Sequence, residues 1–150
     1  MLNPRHRLPS VIFLTLAFII LGCMREPRSL TFQKHSCDQC KMLLMDNRYG
    51  ALIETSKGKV YRFDDINCMI NFMHENFAEG DQLPFKQVID FTNPGILVSA
   101  EEAFYLKSDS LKTPMNSHVA AFHTKKDLDR FKKEYKGIYL VWGELITQFK

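Results

Sequence analysis

A strand-like segment that runs straight into a helix-like segment occurs twice in this chain, 59 residues apart. Val60-Tyr61-Arg62-Phe63-Asp64-Asp65 aligns with Val119-Ala120-Ala121-Phe122-His123-Thr124, and Met69 and Phe72 align with Leu128 and Phe131. In the first copy Ile66, Met69, Ile70, Met73 and Phe77 fall at i, i+3, i+4, i+7 and i+11, one stripe of a helix. In the second, Leu128, Phe131 and Tyr135 mark a sparser stripe. Thr124 followed three residues later by Asp127 is a capping signal, and Gly80 and Gly137 stand where left-handed helix ends are wanted. β-rich pairs precede each helix, at 51–55 with 59–63 and at 103–107 with 118–122. Further β-rich runs follow, at 86–91 and 138–142. Ser56-Lys57-Gly58-Lys59 reads as the turn of the first hairpin.

The pattern predicts an α+β fold of two small ββαβ units, 32–92 and 93–150, joined at Thr92-Asn93-Pro94-Gly95. Neither unit has the length to bury a sufficient core alone, so the two are expected to pack together, with their seam a natural ligand site.

Residues 1–22 stand outside this pattern. Arg5, His6 and Arg7 are followed by Val11 to Leu21, an apolar run of 11 residues broken only by Thr15. A membrane span needs about 20 apolar residues, so the run fits a signal-peptide core. It ends in Ile20-Leu21-Gly22-Cys23, a lipoprotein-type cleavage site, which makes Cys23 the first mature residue and the lipid carrier. An uncleaved N-terminal anchor is the alternative. Residues 23–31 then read as a short lipidated tether. On this reading the protein faces the periplasm from a membrane, with nothing in the sequence to say which. The formal charge of +3 falls to +1 when the two arginines of the signal are removed. That balance, and the lack of a Lys/Arg run, give no argument for nucleic acid.

With Cys23 committed to lipid, Cys37, Cys40 and Cys68 remain. His35-Ser36-Cys37-Asp38-Gln39-Cys40-Lys41-Met42 is the segment richest in chemistry. Two cysteines three apart can converge on one small ion or on each other. If residues 40–44 are extended, Cys40 and Met42 share a face, which makes a thiolate–thioether pair suited to Cu(I). Met45, Cys68, Met73, His74, Met115, His118 and His123 are further soft or borderline donors, and Thr113-Pro114-Met115-Asn116 is a turn that would hold a methionine on a stiff loop. Met69 and Met73 lie on the apolar stripe and read as core, and Cys68, just off it, as a buried small hydrophobe first and a ligand second. Three other readings stand beside copper: a periplasmic disulfide staple, a thiol–disulfide exchange protein, and a zinc site from Cys37, Cys40, Cys68 and His74. No nucleophile–base pair suggests an enzyme.

The order Cys37-x-x-Cys40-x-Met42, then Gly58-Lys59-Val60-Tyr61-Arg62-Phe63-Asp64-Asp65-x-x-Cys68, then Thr113-Pro114-Met115, Val119 to Phe122 and Trp142, behind a lipoprotein signal, resembles the NosL family, the copper-binding accessory lipoproteins of nitrous oxide reductase. The resemblance implies two ββαβ units of a kind also seen in organomercurial lyase. It implies a periplasm-facing Cu(I) chaperone, not an enzyme, that works with a membrane ABC-type complex in maturing the copper–sulfur centre of the reductase in denitrification. By position it makes Cys40, Met42 and Met115 the Cu(I) ligands with Cys37 close behind, and His35, His118 and Cys68 weaker candidates. Two positions depart from the family pattern. Lys41 stands where the family often has Gly before the Met, and Asn116 and Ser117 stand where it often has Gly after Thr-Pro-Met.

Overall fold

The computed structural model describes residues 27–78, 83 and 85–149. The expected signal peptide, the lipidated Cys23 and the helix-ending Gly80 lie outside the described residues.

Among the described residues, seven strands and three helices follow an N-terminal loop region: β1 (Ala51–Glu54), β2 (Val60–Phe63), α1 (Ile66–Asn76), β3 (Phe85–Ile89), β4 (Leu97–Ser99), β5 (Phe104–Lys107), β6 (Val119–Phe122), α2 (Lys125–Tyr135), β7 (Ile138–Leu140) and α3 (Trp142–Gln148). Two antiparallel sheets form, in the orders β2-β1-β3-β4 and β6-β5-β7. Each ββαβ set has the same plan, with its first strand between the other two, although in the first sheet the strand after the helix, β3, is flanked in turn by β4. The fold is mixed α+β, as the strand–helix periodicity predicts. β2 and β6, and α1 and α2, keep the 59-residue separation to the residue.

Two segments differ from the sequence expectation. Leu97–Ser99 lie beyond the predicted joint, yet they pair with β3 and add a fourth strand to the first sheet. Residues 138–142 do not form one strand: β7 stops at Leu140 and Trp142 opens a short helix, whose Glu144 carboxylate accepts the Val141 N–H at 3.0 Å.

One apolar cluster runs through both sets, from Leu44, Ile53, Phe63, Met69 and Ile70 to Tyr105, Val119, Ala121 and Leu140. A second, with Phe91, Leu106, Phe122 and Leu128, lies on the other side of the second sheet under α2. The seam is also stitched by polar bonds. The Phe91 N–H donates to the Ala121 carbonyl at 2.8 Å, and the His123 N–H to the Asp90 carboxylate at 3.5 Å. A cavity in the seam, lined by Ile66, Val88, Ile89, Val119 and Ala121 among others, is about 10 Å³. That is room for no more than a water, so it holds no organic ligand.

The α1 stripe is wider than the sequence suggests. Cys68 and Phe72 are buried together with Ile66, Met69 and Ile70, while Met73 is half-buried. No helix among the described residues is long and apolar enough to cross a membrane.

Candidate metal centre

The cysteine pair sits on a small hairpin. The Cys37 N–H donates to the Met42 carbonyl at 2.7 Å, the Leu44 N–H to the His35 carbonyl at 3.0 Å, and Ser36 bridges Leu43. The turn between them is closed by the Lys41 N–H on the Cys37 carbonyl at 3.0 Å. Asp38 fastens this hairpin to the free edge of β2. Its N–H donates to the Arg62 carbonyl at 2.8 Å, and its carboxylate accepts the Arg62 N–H at 2.7 Å. Leu44 anchors the far end in the core. Fastened this way, the turn is carried to the end of β2, where the chain enters α1.

Four groups meet there. The Sγ atoms of Cys37, Cys40 and Cys68 and a carboxylate oxygen of Asp64 lie within 4.8 Å of one another. Cys37, Asp64 and Cys68 are buried and Cys40 is half-buried. Asp64 is the last residue before the helix cap, and Cys68 is on the first turn of α1, whose N-terminal dipole favours negative charge. The Cys40 thiol donates to Asp64 Oδ1 at 3.7 Å. All three thiols are free.

The electrostatics divide the roles. Cys37 is drawn down to about 4, first by a hydrogen bond from the Cys68 thiol and then by backbone N–H groups of Cys40, Asp64 and Gln39. Cys68 is pushed up, because it donates to that thiolate and is itself buried. Cys40 is raised, chiefly by burial. Asp64 is raised to about 6 by burial and by the Cys37 charge. The centre thus holds one thiolate ready-made and two thiols that must lose protons before they can bind metal.

The structure disposes the other sequence-derived candidates differently. Met42 is 58% exposed, and its neighbours Leu43 and Met45 are exposed as well. The alternation expected from Cys40 onward is interrupted, because Lys41 is left-handed at φ 66° and Cys40 belongs to the turn. The Lys41 ammonium folds back onto the Asp38 carbonyl at the surface. Met115 comes from the other ββαβ set, half-buried against the same core cluster as Cys40. Its N–H donates to Asp65 Oδ2 at 3.0 Å and its carbonyl accepts from Asn67 Nδ2 at 2.8 Å. His35 accepts the Thr31 N–H at Nδ1, 3.0 Å away, and His118 Nδ1 lies 2.8 Å from the Leu111 carbonyl. His74 is exposed against the Ile146 carbonyl and outside the cluster, so the zinc set that included it is not assembled. In its place stands Asp64, which the sequence reading passed over. Its signal was its position four residues before Cys68, where a strand end and a helix's first turn face one another.

Asp65 binds the two sets together. Wholly buried, it caps α1 through the Ile66 N–H at 2.7 Å and also accepts the N–H groups of Met115 and Ser117. At the other end of the chain, the Arg62 guanidinium donates to the Ser29 carbonyl at 3.0 Å and the Pro27 carbonyl at 3.1 Å, and Leu30 and Phe32 pack on the core. The segment read as a tether is therefore docked from Pro27 onward.

The profile of the NosL family matches residues 28–149. Among solved structures, the crystal structure of the copper chaperone NosL from Shewanella denitrificans is similar, with a TM-score of 0.65 and 20% identity over 80% of this chain and 95% of that one. A search of curated protein sequences finds no match.

Proposed function

The chain belongs to the NosL family, and from that premise we propose that it is a Cu(I) carrier, a chaperone rather than an enzyme, serving the maturation of the copper–sulfur centre of nitrous oxide reductase. The observation that carries the reading is the convergence of three cysteine sulfurs at the entry to α1, with a methionine-bearing loop from the second set gripped by the same helix turn. Cu(I) prefers thiolate and thioether sulfur over oxygen or nitrogen. The cargo is held by Cys37 and Cys40, with thioethers from Met42 and Met115, while Cys68 and Asp64 line the buried side.

The arrangement suits hand-over. Cys37 is buried and ionised, Cys40 is half-buried, and Met42 is at the surface. A copper ion held between them has a closed side and an open one, and an incoming sulfur ligand can displace an exposed thioether, which needs no proton to leave. Thiol–disulfide exchange fits this geometry poorly. An exchange nucleophile must be both ionised and reachable; here the ionised Cys37 is buried, and the more reachable Cys40 holds its proton.

In this proposal Cys23 carries lipid, the carrier faces the periplasm from a membrane, and a membrane ABC-type complex is its partner. Because the body is docked from Pro27, three residues would separate it from Cys23, and the four peptide steps between them reach at most about 14 Å. So short a leash raises the effective concentration of the carrier near a membrane-bound acceptor.

Titration of the reduced mature protein with Cu(I) against a competing chelator tests the reading. One tightly held copper per chain is expected, with affinity lost in Cys40→Ala and reduced in Met42→Ala and Met115→Ala. Unchanged affinity in both methionine variants overturns the mixed thiolate–thioether site. Full copper loading of the reductase in cells lacking this protein overturns the chaperone role.

A further inference from the structure

Asn67 does something that its place in the helix does not require. It is the second residue of α1, whose cap is already provided by Asp65. Its carboxamide instead spans two backbones. Oδ1 accepts the Cys68 N–H at 2.7 Å, and Nδ2 donates to the Met115 carbonyl at 2.8 Å. With Asp65 on the Met115 N–H at 3.0 Å, Met115 has its own N–H and its own carbonyl held by one helix turn. We propose that Asn67 is a positioning residue for copper binding, its carboxamide setting the Met115 thioether in register with the Cys68 turn.

The physical case is one of order. Met115 sits on a loop between β5 and β6 that belongs to the other ββαβ set, followed by two left-handed residues, Asn116 at φ 56° and His118 at φ 57°. A thioether on an untethered loop would have to be ordered at the moment of binding, and that ordering subtracts from affinity. Sites hold a ligand best when the group that carries it is itself locked by hydrogen bonds from a rigid element. Only a side-chain amide serves both ends at this position. A carboxylate could accept from Cys68 but not donate to Met115, and a hydroxyl would not reach both.

This inference rests on Met115 as a copper ligand, and a double-mutant cycle separates the two claims. Cu(I) affinity is measured by chelator competition for the wild type, Asn67→Ala, Met115→Leu and the double variant, with the sulfur neighbours of bound copper counted by X-ray absorption. Loss of an outer partner of a metal ligand weakens affinity by about 10–100-fold. Asn67→Ala is expected to fall in that range and to lose one sulfur neighbour, while the double variant binds no more weakly than Met115→Leu alone. Asn67→Asp keeps the acceptor for Cys68 and lacks the donor for Met115, so it should behave as the alanine variant does and covers the case in which Asn67→Ala melts early. Equal losses from Asn67→Ala with and without Met115 overturn the positioning role. An unchanged affinity in Met115→Leu overturns the ligand assignment first, and the positioning role with it.

Discussion

The two strand–helix junctions are built on one plan and carry different contents. At the first, β2 is followed by Asp64, Asp65 caps α1, and Cys68 occupies the third helical position. At the second, β6 is followed by His123, Thr124 caps α2, and Asp127 takes the place of Cys68. Thr124 is an ordinary cap in water, its Oγ1 accepting the Asp127 N–H at 3.1 Å while its hydroxyl donates to the Asp127 carboxylate at 2.6 Å. Asp65 is buried and its carboxylate reaches out of its own set to hold the Met115 loop. The same scaffold is thus inert at one copy and reactive at the other. The difference lies in a few side chains at a turn plus the hairpin that Asp38 fastens against it, a local instance of function being grafted onto a fold.

If that contrast is right, its largest measurable form is in the two caps. Thr124→Ala should cost about 1 kcal/mol or less, the usual loss for an exposed N-cap. Asp65→Ala should cost about 2–4 kcal/mol, because it removes a cap and also strands the buried N–H groups of Met115 and Ser117. Chemical denaturation of the metal-free variants checks this. Equal losses would reduce Asp65 to a cap like its counterpart.

Proton linkage sharpens the contrast further. Cys40 and Cys68 are both raised, so copper must displace protons from whichever of them binds, and affinity should rise with pH by up to about tenfold per unit for each proton released. Chelator competition at pH 6, 7 and 8 reads the slope. A flat profile would mean that copper is held by Cys37 and thioethers without the other thiols.

A smaller effect belongs to Asp64. Its carboxyl is raised to about 6 by burial and by the Cys37 charge. Its protonated form favours the folded state. That contribution is present below about 4, and it is lost as pH rises through 6. Above that pH the metal-free protein carries a charge it would fold better without. Asp64→Asn should therefore melt a few degrees higher than wild type at pH 7.5 and no higher at pH 4. A gain of the same size at both values would separate Asp64 from the thiolate.

Much of this was legible in the chain itself. The strand pairs, the turn at 56–59 and both helices follow from alternation, helical stripes and a 59-residue echo. Leu97–Ser99 was not, since three residues beside a Pro-Gly joint carry too little pattern to be told from a linker. The helix at Trp142 was obscured by the β-rich Ile138–Val141 run that leads into it. At the site, spacing joined Cys37 to Cys40, but the nearness of Cys68 and Asp64 depends on Asp38 docking a hairpin onto an edge strand, a contact between residues 24 apart in sequence. The alternation that paired Cys40 with Met42 is interrupted at Lys41, and nothing in the identity of Lys41 announces a left-handed backbone.

That last residue gives the smallest and most specific test, and it compares the two sets once more. Lys41 in the hairpin and Asn116 after Met115, from the two stretches (41 and 116–117) where the family resemblance leads one to expect glycine, both adopt positive φ, 66° and 56°. The departures therefore keep the backbone that glycine would allow and accept its cost. A β-carbon in this region costs about 1–2 kcal/mol, and asparagine is among the few residues that visit it readily. Glycine also carries a penalty, through the greater freedom it has when unfolded, of roughly 0.5–1 kcal/mol. For Lys41 the relief should outweigh the penalty, so Lys41→Gly should stabilise by a few tenths to about 1 kcal/mol. For Asn116 the two should nearly cancel. Denaturation of the two variants reads the difference, and Cu(I) affinity should stay within a few fold of wild type in both, because the Lys41 ammonium is occupied at the surface by the Asp38 carbonyl. A Lys41→Gly variant that is no more stable than Asn116→Gly would show that the hairpin turn relaxes around lysine. A large gain in copper affinity would show instead that the ammonium bears on the cluster after all.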